Sequence, residues 1–469
     1  MAHYLNCLSR INAPNQKYDS IETHIVMDDA FTVSGSLNTH AKCFIDLCKE
    51  ILNNATMTQE IRMAYGSEIL VTLDDGMLVY LHFKNSLKVK QGKRWSQMMI
   101  MSWIIDTKRD SVHDPANAYF LTCDMDVSFS YSSIERLLDF MLRKPSVGGA
   151  TCRVFAEGSG PVVWYQMYEY AIWHWLIKAA NSVIGSLLYC TGCFSVFRLK
   201  ALSQVIPVFS RETENGADYI RKDLGEDRWL SCLLLKAGWL LDYCSLAEVS
   251  VLCPETFDGF FQQRRYWIMS TFANTCSLIK DFWNIRHFNY KLSVFYFAYL
   301  IMTVFFMVIS PSVMIWMITG AVYYITNSYA VVPYLGILLM ALLLIYIAIC
   351  MFTLPDVHRA FAKAGSYVLA VTIFILTLLS LVHVCRNPRL TLDTNDPPHD
   401  LDKHMEISVS MVYFIIYAGV FVGTALVYPK EFLCNLQSLW YLLCLPGFNI
   451  FLITYTVVNI TKTNEGMFE

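Results

Sequence analysis

Two aspartates one residue apart, Asp124 and Asp126, directly follow an apolar run at 118–123. Carboxylates set together on one loop are hard oxygen ligands suited to Mg2+ or Mn2+, ions that commonly complete their shell with substrate phosphates. The alternative is a pair of solvated loop aspartates. Gly225-Glu226-Asp227-Arg228-Trp229 places two further carboxylates before Leu230, Leu233, Leu234 and Ala237, which recur at helical spacing until Gly238 supplies a stop. Acidic residues at a helix start are favoured by its dipole, and a carboxylate held there can also act as a base aimed into a cleft. The third group is FFQQRRYW at 260–267, where arginines interleave with aromatics. Such a set can clamp a diphosphate and stack on a sugar ring, or form a belt at a membrane surface.

These groups need a scaffold, and the residues between them describe one. The run at 21–27 ends in Asp28-Asp29 and reads as a buried strand with two carboxylates at its carboxyl end, where ligands of open α/β sheets sit. Residues 68–73 and 77–83 flank Asp75-Gly76 as a hairpin. Lys93-Arg94-Trp95 opens a helix running to 105, 118–123 is a strand, 133–142 a helix and 149–154 a strand. Strands alternating with helices at this spacing predict an α/β domain with crossover connections.

Of the 469 residues, 55% are hydrophobic and only 16% charged, more apolar than a soluble core requires. The excess is concentrated. No Asp, Glu, Lys or Arg occurs at 292–355, 367–385, 407–428 or 438–458. Each run reaches the roughly 20 residues a helix needs to cross a bilayer. The longest should hold three spans, broken at Ser310-Pro311-Ser312 and at Thr326-Asn327-Ser328, which gives five or six transmembrane helices. The first thirty residues hold no signal-type apolar stretch, so the polar half is expected to stay cytosolic. Arg264, Arg265, Lys280, Arg286 and Lys291 precede the first span on that side. A net charge of −3 leaves no basic surplus for nucleic acid. Fifteen cysteines without regular spacing suit a reducing compartment, and Cys190-x-x-Cys193 lacks the further ligands a zinc site needs. Asn54-Ala55-Thr56 matches a glycosylation triplet that a cytosolic segment would never expose to the enzyme.

Taken in order, the motifs resemble those of animal-type chitin synthases, processive membrane glycosyltransferases of family 2. The resemblance runs from about Glu22 to Asn459 and is carried by ETHIVMDDAF (22–31), KRWSQ (93–97), Asp124-Met125-Asp126, GSGPVVWYQMYEYA (158–171), TGCFSVFR (191–198), GEDRWL (225–230), FFQQRRYW (260–267) and YPKEF (428–432). It implies an α/β GT-A glycosyltransferase domain with a mixed, mostly parallel sheet at 1–288, an all-α transmembrane bundle at 289–459 and a tail at 460–469. It also implies UDP-N-acetylglucosamine (UDP-GlcNAc) as donor, a growing β-1,4 chitin chain as acceptor, Mg2+ or Mn2+ as cofactor, export through the spans and a plasma-membrane location in the lipid bilayer. Whether the chain forms a homo-oligomer is left open.

Position by position, the resemblance makes Asp227 the general base, oriented by Glu226 and Arg228, and Asp124 and Asp126 the metal and diphosphate loop. Asp28, Asp29, Lys93 and Arg94 fall near the uridine and diphosphate; Gln166, Glu169 and Tyr170 fall beside the donor sugar. Thr191, Gly192, Cys193 and Phe194 bear on the acceptor, and Gln263, Arg264 and Trp267 line its path into the channel. Three departures stand out. Tyr266 replaces the family's arginine in Gln-x-x-Arg-Trp, the chain starts after the family's first strand and the multi-span region before it, and 464–469 keeps little of the family's Ser-Trp-Gly-Thr-Arg-Glu motif. They motivate a competing reading, a catalytically weak paralogue partnering a full synthase. A hyaluronan-type synthase is the nearest enzymatic alternative.

Overall fold

The computed structural model describes residues 21–33, 35–51, 56–73, 76–108, 117–326, 328–386, 419–427 and 429–460. They cluster into two compact units: 1–154 with 181–251 and 273–297, and 155–180 with 252–272 and 298–469. The glycosylation triplet (through Asn54 and Ala55), Asp75, Tyr428 and the C-terminal motif at 464–469 lie outside the described residues.

The first unit contains two sheets. One comprises β1 (Glu22–Met27), β2 (Thr56–Met57), β3 (Ile61–Met63), β4 (Gly66–Thr72) and β5 (Leu78–Lys84), ordered β1-β5-β4-β2 with β3 on β4. Side chains alternate across a strand, so Val79, Leu81 and Phe83 of β5 share a face with Ile69 and Val71 of β4. That face buries Ala41 and Cys48 of the Thr39–Ile51 helix in one apolar core. The opposite face carries His24, Tyr80, His82 and Glu68. There His24 stacks on Tyr80 with centroids 4.7 Å apart, and Tyr65 reaches both His82 and Glu68.

The second sheet comprises β6 (Tyr119–Cys123), β7 (Val127–Phe129), β8 (Val147–Glu157), β9 (Phe194–Arg198) and β10 (Leu240–Leu252), ordered β6-β9-β8-β10-β7. The expected elements are present, including helices at Lys93–Lys108 and Tyr131–Arg143. The expected parallel majority is not. Among the described registers only β1 and β5 run parallel, whereas β2, β3 and β5 on β4, β6 and β8 on β9, and β7 on β10 are antiparallel. Links as short as those between β3, β4 and β5 permit only antiparallel neighbours.

Four helices among the described residues are long and apolar enough to cross a membrane, and all but the first four residues of the first fall in the second unit: Val294–Thr326, Val331–Phe352, Pro355–Ser380 and Phe432–Val458. The break expected at Pro311 does not occur. Val294–Thr326 continues through it, so 292–355 holds two spans rather than three. One missing N–H is tolerated in a spanning helix because an apolar medium enforces all the other backbone bonds. The Ser310 hydroxyl beside the proline also meets Asn449 Oδ1 at 2.8 Å. Of the run at 407–428, only 419–427 is described, as helix. An aromatic core of Tyr165, Phe260, Phe261, Tyr346, Phe451 and Tyr455 joins these helices to Pro161–Ile172 and to the start of Phe257–Phe288. Gly365 is required here, since a Cβ on it would fall 2.3 Å from the Phe451 ring.

Candidate functional site

At the end of β1, the Asp28 carboxylate is held internally. Oδ1 lies 2.8 Å from the ammonium of Lys84, which is 1% exposed, and Oδ2 accepts from the Gly92 amide at 2.6 Å. Lys84 also donates to Lys90 O and Ser96 Oγ, at 3.0 and 2.9 Å. This buried cation ties the strand end to the 85–92 loop and to the first turn of the Lys93–Lys108 helix. Nothing in the sequence pattern marked Lys84; an isolated lysine closing an apolar strand is the one signal. Asp29 adopts φ +50, and its side chain accepts from Ser86 Oγ at 2.6 Å.

Lys93 and Arg94, paired in the sequence reading, part company. Arg94 is buried, and its guanidinium donates to Asp223 Oδ1 at 2.6 Å and to the Phe209 and Arg211 carbonyls. Those bonds make it the anchor of its helix rather than a donor-binding group. Lys93 reaches Asp124 instead, its Nζ 2.6 and 2.9 Å from the two carboxylate oxygens, and lies 3.4 Å from Glu226 Oε1.

Around this contact the first unit gathers its chemistry. The Asp124 amide donates to Cys193 O at 2.9 Å, and Cys123 pairs with Phe194 across β6 and β9, so the Asp124–Asp126 loop and the 191–194 loop lie side by side. Glu226 and Asp227 occupy the first turn of Glu226–Lys236. Asp227 Oδ1 accepts from its neighbour's amide and guanidinium, Arg228 N at 2.8 Å and Nη1 at 3.0 Å, while Oδ2 accepts from Gly192 N at 3.1 Å. A Cβ on Gly192 would come within 3.3 Å of the Asp227 side chain, so this approach favours glycine. Thr191 meets Thr151 Oγ1, and Phe194 is buried beside Phe129, so both support the loop from within.

Burial raises the Asp124 carboxyl's pKa against the opposing pull of Lys93, with Asp126 and Asp227 adding to the rise. Glu226 is raised by burial and by Asp227. For Lys93, partial desolvation opposes the charge, but Glu226, Asp124 and Asp227 together hold its pKa above the usual lysine value. Four carboxylates thus share this cluster with the two cations Lys93 and Arg228, a formal surplus of −2.

In the second unit, Gln166 is buried, its amide donating to Pro254 O at 2.8 Å. Glu169 pairs with Arg264, whose guanidinium lies over the Trp267 ring at 4.1 Å and beside Phe260 and Tyr170. Burial raises the Glu169 pKa and Arg264 counters it. The pairing spans 95 residues of sequence and was not legible in either motif. Gln263 keeps a buried Oε1 without a hydrogen-bond partner among the described residues. Arg265 caps Asn459 O at 3.0 Å, and the Tyr266 hydroxyl accepts from Gln262 Nε2 at 2.9 Å.

A sequence profile described as chitin synthase matches residues 108–384. Chitin synthase chs-2 of Caenorhabditis elegans is 29% identical over 96% of this chain and 27% of its own length. The chitin synthase of Meloidogyne artiellia is 31% identical over 96% and 24%, and chs-1 of C. elegans 30% over 95% and 34%. The chain therefore spans about a quarter to a third of these relatives. A mannosyltransferase, PcManGT from Pyrobaculum calidifontis in complex with GDP-Man and Mn2+, aligns with 82% of this chain and 94% of its own at a TM-score of 0.39 and 11% identity. With the profile covering more than half of its residues, the chain belongs to the chitin synthase family.

Proposed function

We propose that the chain is the GT-A catalytic and membrane-spanning part of a chitin synthase, which transfers N-acetylglucosamine from UDP-GlcNAc to a growing β-1,4 chitin chain and exports it through its spans. The observation that carries this is the holding of Asp227. Its Oδ1 already accepts two hydrogen bonds and Oδ2 only one, so Oδ2 keeps a lone pair for the proton of an acceptor hydroxyl. A sugar hydroxyl is a poor nucleophile until that proton is taken. Attack on the anomeric carbon opposite UDP is a single displacement, which turns an α-linked donor into a β-link. Glu226 and Arg228 flank the base, and Arg228 fixes its rotamer.

Asp124 and Asp126 fit a divalent ion by their hard oxygens and by the local surplus of negative charge. Mg2+ or Mn2+ bound there would stabilise the charge that grows on the leaving diphosphate. By the resemblance alone, Glu169, Gln263, Arg264 and Trp267 of the second unit are proposed for the sugar and acceptor path, while Gln166, buried with its amide on Pro254 O, would support them from within. The catalytic half is assigned to the cytosol and the spans to the plasma membrane.

Asp227→Asn tests the reading. The amide keeps the shape but cannot take the proton, and turnover of UDP-GlcNAc is expected to fall at least 10²-fold while UDP affinity stays within about threefold. More than a tenth of wild-type turnover would remove Asp227 as the base. Digestion of the polymer by chitinase distinguishes chitin from a hyaluronan-type product.

A further inference from the structure

Lys93 stands where a metal ion would need access. Its ammonium covers both oxygens of Asp124, at 2.6 and 2.9 Å, and lies 3.4 Å from Glu226. A divalent ion on the same carboxylate would sit about 2.0–2.1 Å from an oxygen, too close for two cations to share the carboxylate without strong repulsion. The base of the Lys93 side chain is fixed, because Arg94 is locked in the core and Gly92 N is bonded to Asp28. Its head is not: the side chain is 43% exposed, on a flexible stem. Among the described residues no group of three or more His, Cys, Asp or Glu is placed to hold an ion. The chain's own ligands at this loop are thus few, and phosphate oxygens must complete a shell.

We propose that Lys93 is an exchangeable counter-cation of Asp124 and Glu226, which makes divalent-ion binding contingent on a nucleoside diphosphate. Without nucleotide the ammonium covers the Asp124 carboxylate, lies beside Glu226 and keeps the ion out. When a diphosphate arrives, the ammonium transfers to it, Asp124 is released to the ion, and the ion and the nucleotide each tighten the other's binding. The inference rests on Asp124 as the metal loop proposed above.

The test follows Mn2+ by electron paramagnetic resonance, where the signal of the aqueous ion is lost on binding, using the full chain in detergent with and without UDP. In the wild type, UDP is expected to tighten Mn2+ at least tenfold, a coupling within the usual range for linked sites. Lys93→Gln is expected to bind Mn2+ about tenfold tighter than wild type without UDP and to lose most of the gain from UDP. Lys93→Arg, which keeps the charge, should behave as wild type. Adding Asp124→Asn to Lys93→Gln should abolish the site.

Three results overturn the exchange. The first is a wild-type Mn2+ affinity indifferent to UDP, which needs no variant and holds even if Lys93→Gln fails to fold. The second is a Lys93→Gln chain that binds Mn2+ no tighter than wild type while Asp124→Asn still removes the site; the metal loop then survives and the exchange does not. The third is Mn2+ binding unaffected by Asp124→Asn in every background, which rejects the metal loop itself and the exchange with it.

Discussion

His82 gives the first sheet a calculable dependence on pH. It is 1% exposed, and its ring nitrogens are bonded in series: His24 Nδ1 lies 3.0 Å from His82 Nε2, and Tyr65 Oη lies 2.6 Å from His82 Nδ1 and 3.1 Å from Glu68 Oε2. Every bond is satisfied if His24 donates to a neutral His82, His82 to Tyr65 and Tyr65 to Glu68. A proton on His82 Nε2 would break the first link and bring a charge out of water. Burial first, and then the neighbouring His24, lower its pKa to about 3. In the unfolded chain the value is about 6.5.

Below pH 6.5 the unfolded state therefore takes a proton that the folded state refuses, and stability falls as pH falls toward 3. Between pH 7 and pH 5 the loss is about 2 kcal/mol, since the folded ring stays neutral throughout this window and only the unfolded chain titrates. Glu68, whose pKa is raised by burial against the Tyr65 bond, acts in the opposite sense, so the comparison must isolate His82. Hydrogen exchange of amides in β1, β4 and β5, corrected for the intrinsic rate, is the measurement. Protection lost through opening of this sheet should drop about 30-fold from pH 7 to pH 5 in the wild type relative to His82→Gln. Parallel pH profiles for the two would refute the reasoning.

Two further outcomes concern the second unit. Glu169→Gln should destabilise it by about 3 kcal/mol, read as a lowered thermal midpoint in detergent, because the buried Arg264 guanidinium loses its counter-charge; pairing it with Arg264→Leu should recover at least half. Tyr266→Arg should raise turnover about tenfold if the phenol's bond to Gln262 stands where a charge-assisted bond to phosphate or carboxylate is missing, and unchanged turnover in a chain that binds UDP would mean that the substitution is compensated elsewhere.

Much of this protein is local, and local features can be read from one chain. Charge-free runs specify spanning helices because a bilayer tolerates no unpaired backbone, and strands ending in carboxylates announce a site because period-2 patterns end where the loop begins. The helix start at Glu226 and Asp227 and the resemblance to chitin synthases, carried by short contiguous motifs, belong to the same category. What the tertiary structure decided is which side chain meets which. Lys93 and Arg94 are neighbours about 100° apart on one helix, so one enters the carboxylate cluster and the other the core, a division set by what surrounds the helix. Lys84 under Asp28 and Arg264 on Glu169 are ionic pairs joined across many residues, and no spacing rule encodes them. The continuity of Val294–Thr326 through Pro311 is also a property of the assembled unit: a proline signals a break in water, whereas packed helices and an apolar medium keep the helix whole.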